Sequence, residues 1–144
     1  MDTVHLVAGV ALLMLNLAAG AWGGAMWLAK RPSVTFWYLL RAAQAAVVVQ
    51  ALIGGLLLLL GYEAADGLHY VYGIAPLAVS FLAEGARAGV AEREVGELSF
   101  ETLPRQRQRA IALAIVRREM GIMAVSNLVI FFLALRAAGT STLF

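Results

Sequence analysis

Cysteine is absent from the 144 residues. That excludes disulfides, thiolate metal centres, iron–sulfur clusters and covalent attachment of a c-type heme. Charge is also scarce: 14% of residues are Asp, Glu, Lys or Arg, against 62% hydrophobic. So little polar surface cannot cover a water-soluble domain of this length, so the chain is expected to be solvated largely by lipid. Nucleotide-binding loops, Ser/His/Asp arrangements and H-E-x-x-H are missing too, so no common hydrolase or nucleotide signature is present. The net charge of +2 and pI near 9.4 would suit a nucleic-acid binder. However, the cations flank apolar runs, where they act as topology signals, and no nucleic-acid partner is expected.

Four apolar runs are present. They predict an all-α integral membrane protein, a single four-helix transmembrane domain over residues 1–144. The spans are placed at about 4–28, 36–60, 68–88 and 117–136, with a cytoplasmic segment at 89–116. Each approaches the ~20 residues a helix needs to cross ~30 Å of hydrocarbon. Met1-Asp2-Thr3-Val4-His5 carries no basic n-region, so the first span is expected to be retained. Within 90–109, Glu92, Glu94, Glu97 and Glu101 precede Arg105, Arg107 and Arg109. This pattern reads either as a helical excursion meeting anionic headgroups or as a solvated loop.

Ten of the eleven cations lie around the first and third connections, leaving Arg136 on the other side. The positive-inside rule then puts both connections in the cytoplasm of a cell-membrane protein, with both chain ends outside. Gly20/Gly24 and Gly85/Gly89 each form a G-x-x-x-G, which predicts close helix packing. Asn16, Gln44, Gln50, Ser80 and Asn127 are expected to hydrogen-bond between helices. Glu84 is expected to pair with Arg41 or Arg87 near the inner boundary.

A shift of 64 positions carries the first span onto the third. Asp2 meets Asp66, His5 meets His69, Val7 meets Val71 and Gly9 meets Gly73. The second and fourth spans match more weakly, through Arg41/Arg118 and Gln50/Asn127. Two tandem helical hairpins, related by a pseudo-twofold axis along the membrane normal, account for the pattern. It uses both histidines in the chain.

In such a bundle the first and third helices are parallel diagonal neighbours. Adjacent axes at ~8–10 Å put diagonal axes at roughly 11–14 Å. His5 and His69, in the first turns of those helices, would then lie at one depth and reach inward to share an iron across a porphyrin. Gly9 and Gly73, one turn deeper, would leave room for the macrocycle. Asp2 and Asp66 would accept the second ring N–H of each histidine. Arg136, with Tyr62, Thr140 or Ser141, would meet the propionates. Two other readings stay open: histidines that are merely interfacial, and a non-heme metal with Asp2, Asp66 or Glu63 as further ligands.

The run Gln50-Ala51-Leu52-Ile53-Gly54-Gly55-Leu56, a short turn and then Leu68-His69 resembles half of a heme A synthase. In that family each half is a four-helix bundle holding a heme between two histidines near the outer face, with a Q-x-x-x-G helix between the histidine-bearing ones. The resemblance covers roughly residues 2–84 and implies His5 and His69 as heme ligands. Asp2 stands where the family's catalytic half has glutamate, Leu6 follows the histidine in place of arginine, and the extra helix comes last. Those departures point away from heme hydroxylation and toward plain heme b. The expected function is that of a b-type cytochrome-like protein, an electron carrier or heme-handling protein rather than an enzyme. Its partners would be the bilayer and a redox partner or larger respiratory complex. The alternative is a non-catalytic helical subunit or assembly factor of a larger membrane complex, without heme.

Overall fold

Apolar runs become helices here, and each helix ends at a recognisable stop. The computed structural model describes residues 2–64, 66–96 and 99–140, with Asp2 described by its backbone only. Among these residues the protein is all-helical: α1 (Asp2–Leu28), α2 (Val34–Leu59), α3 (Leu68–Val95) and α4 (Arg105–Gly139), with one 3-10 turn at Phe100–Thr102. All four helices are long and apolar enough to cross a membrane. Only 11–33% of each apolar window is buried in the protein, so the remaining faces need a lipid solvent.

α1 closes in a Schellman motif, with Arg31 N–H bonding Met26 C=O (3.0 Å) and Lys30 N–H bonding Trp27 C=O (3.1 Å). The left-handed position in that motif, usually glycine, is held by Lys30 at φ 57°. α2 ends the same way, but with Gly61 at φ 83° and a Tyr62 N–H to Leu57 C=O bond of 3.0 Å. Ser33 caps α2: its hydroxyl accepts from Phe36 N–H (3.2 Å) and from the Trp22 indole N–H (3.0 Å). That single oxygen ties the end of α1 to the start of α2.

α3 and α4 run further than the apolar spans indicate. The 90–109 segment is neither one excursion nor one loop. It is the end of α3, a break at Gly96–Pro104 and the start of α4. At 35 residues, α4 is roughly 50 Å long, against ~30 Å of hydrocarbon. Glu97 lies outside the described residues.

Interior packing forms layers by depth. Phe36, Leu40, Met120, Met123 and Ala124 make one apolar layer, and Leu12, Val47 and Ile130 another. Buried Asn16 and Asn127 fall between them in register. Neither asparagine bridges helices: Asn16 donates to Leu12 C=O (2.9 Å) and Asn127 to Met123 C=O (2.6 Å), each four residues back in its own helix. Ser80 does the same to Pro76 C=O (3.0 Å). Of the five polar residues expected to bond between helices, Gln44 and Gln50 are the two that do so among the described residues. A short side chain in a helix finds its own i−4 carbonyl nearer than any neighbour.

α1 packs closely on α2 and α4, and α3 on α4, whereas α2 and α3 meet sparsely. Glycines set the close seam, but not the paired ones expected. Gly20 lies against Leu128, Gly23 against Phe36 and Ala124, and Gly121 under the Trp27 indole. Around Gly24 and Gly85 a Cβ would meet nothing, and at Gly89 it would meet only Arg93 of its own helix. The α2–α3 seam is bridged instead by charge. Glu84 Oε1 accepts from Arg41 (2.9 Å) and Gln44 (2.7 Å), and its Oε2 from Arg87 (2.8 Å). Arg87 also approaches Glu119 of α4 at 3.7 Å.

Candidate functional site

His5 and His69 come from diagonal helices, in the first turns of α1 and α3. Their ring centroids are 6.0 Å apart, with the ring planes inclined at 53°. Two metal–nitrogen bonds of about 2 Å, plus roughly 1.1 Å from nitrogen to ring centre on each side, give roughly 6 Å for axial imidazoles sharing one metal. The observed separation fits that requirement. Among the described residues no group of three or more His, Cys, Asp or Glu converges, so the donors for a tetrahedral zinc or copper centre are not gathered there.

The Nδ1 atom of His69 lies 3.0 Å from the carbonyl oxygen of Ala137. A carbonyl only accepts, so Nδ1 carries the proton and the Nε2 lone pair is left for a ligand. Asp66, the expected acceptor, is engaged elsewhere: its Oδ1 accepts from Leu68 N–H at 2.9 Å and helps start α3. The matching expectation for the Asp2 carboxylate lies outside the described residues, as does Ser141.

Gln50 brings α2 to the site. Its amide nitrogen is 3.2 and 3.4 Å from the two ring nitrogens of His5. One turn further along α2, a Cβ added to Gly54 would sit 3.5 Å from His5 Cε1. The Gln50 Oε1 atom is buried and has no hydrogen-bond partner among the described residues, which leaves an unfinished polar group beside the histidine pair. Gly9 is not an open floor. A Cβ there would stand 3.3 Å from the Gln50 amide nitrogen, so the notch in α1 is filled by Gln50. Gly73 is different, since a Cβ there would meet nothing within 4 Å. Arg136 is exposed and stacks its guanidinium 5.6 Å from the centre of the Tyr72 ring, one turn past His69.

The internal correspondence therefore holds for the histidines and lapses around them. Gln50 lies against His5, whereas its counterpart Asn127 bonds Met123, and His69 is served by Ala137. No signal in the sequence marks a backbone carbonyl, so Ala137 was not legible as a site residue. Gln50 stood within the Q-x-x-x-G run. No protein-family model matches the chain, and neither the curated proteins nor the solved structures contain a match.

Proposed function

We propose that the protein is a membrane b-type cytochrome-like protein whose His5 and His69 hold one heme b, serving electron transfer or heme handling. The observation that carries this reading is the 6.0 Å separation of the two imidazoles. A heme held there by the two histidines would supply one-electron redox chemistry. His69 presents Nε2 because Ala137 retains the Nδ1 proton. Gln50 meets the His5 ring from the α2 side, and Gly54 keeps α2 bare beside it. Gly73 leaves α3 bare where the macrocycle needs room, and Arg136, at the same level, is the cation available to a propionate. With ten of the eleven cations at the opposite end, the histidines, both termini and the 62–67 turn are assigned to the outer side of the cell membrane.

The test is an optical spectrum of the detergent-purified chain from heme-replete cells. One heme per chain with a low-spin Soret band and resolved α and β bands in the reduced state is expected. His5→Ala and His69→Ala should each abolish or convert that spectrum. Pigment that survives both substitutions, or a colourless chain that co-purifies with a stoichiometric partner, would overturn the proposal in favour of a structural subunit.

A further inference from the structure

Where α1 turns into α2, a cavity of about 240 Å³ opens against α4. Lys30 and Arg31 line it from the turn and Arg117 from α4, while Leu113, Val116 and Met120 supply an apolar side. Among the described residues none of the three cations makes an ion pair, in contrast to Arg41, Arg87 and Arg118. Three like charges around one small cavity repel one another unless an anion joins them. The apolar side means the anion carries an apolar body.

Lys30 adds a second, independent observation. It occupies the left-handed position of the α1 Schellman motif at φ 57°, where the equivalent turn after α2 uses Gly61. A non-glycine residue there is strained, by on the order of 1 kcal/mol. A glycine would relieve that strain, whereas the lysine keeps a cationic residue on the lining of the cavity.

We infer that this cavity binds the headgroup phosphate of one anionic phospholipid, with Lys30, Arg31 and Arg117 on the phosphate and Leu113, Val116 and Met120 against its glycerol and upper acyl region. The position suits it: Arg117 marks the point where α4 enters the apolar span, the level at which headgroup and chain meet. A lipid seated there joins the first hairpin to α4. The inference is independent of the heme reading, because the cavity lies at the other end of the bundle from the histidines.

The experiment is native mass spectrometry of the full-length chain in detergent, titrated with phosphatidylglycerol or phosphatidylcholine, with and without millimolar inorganic phosphate. One phosphatidylglycerol adduct that outlasts collisional activation is expected, with no equivalent for phosphatidylcholine and no displacement by phosphate. Arg117→Gln should weaken it about five-fold, the worth of one headgroup contact, whereas Arg107→Gln, outside the cavity, should leave it unchanged. Lys30→Gly separates binding from folding, because it should weaken the adduct while raising the thermal unfolding midpoint of the lipid-free chain. Equal losses in Arg107→Gln and Arg117→Gln would overturn the inference. So would displacement by phosphate, equal retention of phosphatidylcholine, or an undiminished adduct in Lys30→Gly.

Discussion

The carbonyl of Ala137 lies in the last turn of α4, which stops at Gly139, where carbonyls turn to partners outside the regular helical ladder. Thr140 donates to it through its backbone N–H (3.2 Å) and its hydroxyl (2.8 Å), and His69 Nδ1 shares the same oxygen at 3.0 Å. The histidine tautomer is thus a by-product of where a helix ends. Such dependence on a main-chain atom leaves no trace in residue types. The histidine pair was legible, since its spacing repeats with Asp at −3 and Gly at +4. The roles of those flanking residues were legible only in part: Asp66 accepts from Leu68 N–H at the start of α3, and Gly9 receives Gln50. Gly73 alone keeps the open space the pattern suggested. Gly73→Leu should therefore insert and fold normally, because among the described residues nothing lies within 4 Å of its Cβ position, while on the proposed reading heme content falls by about ten-fold or more from steric exclusion. Absorbance per mole of purified chain reads this directly, and full occupancy would rule out a macrocycle lying over α3 at that turn.

Between elements, the expected internal repeat does not extend to one seam, for a reason visible in register. The shift that carries α1 onto α3 places Gly20 on Glu84 and Gly23 on Arg87, and the α2/α4 correspondence places Gln44 on Gly121. The α1–α4 contact is thus built from glycines, and its symmetry mate α2–α3 from an ion-paired glutamate, an arginine and a glutamine. In lipid, apolar association gains little from the hydrophobic effect, so close backbone approach decides which helices pack. Glycines permit that approach, and a Glu84 cluster holds helices apart at side-chain length. Which glycines matter depends on the facing residue, and so the G-x-x-x-G pattern alone picked Gly24 where Gly23 does the packing. Gly23→Ala should cost about 1–3 kcal/mol through its collision with Phe36 and Ala124. Gly24→Ala, with nothing nearby, should cost nothing and gain helix propensity. Unfolding midpoints of the two variants in one detergent check the contrast, and equal effects would contradict the packing account.

For the molecule as a whole, four apolar helices were readable from hydropathy because the bilayer demands long unbroken runs. The ends of α3 and α4 were not, because beyond the lipid a charged helix and a charged loop have the same composition. Orientation rests on the cation count, and the natural absence of cysteine makes it easy to probe. Single cysteines at Glu63 and at Thr140 should react with an impermeant maleimide on intact cells, and one at Thr102 only after permeabilisation. Reversal of that pattern would invert the topology while leaving the bundle unchanged.

One unbroken helix joins Arg105 to the carbonyl that holds His69. A rod of that kind transmits displacement along its axis: sliding it by one residue, about 1.5 Å, stretches a 3.0 Å hydrogen bond past its useful range. The hydrogen bond that orients the His69 ring is therefore geared to a push or pull at the far end of the same rod.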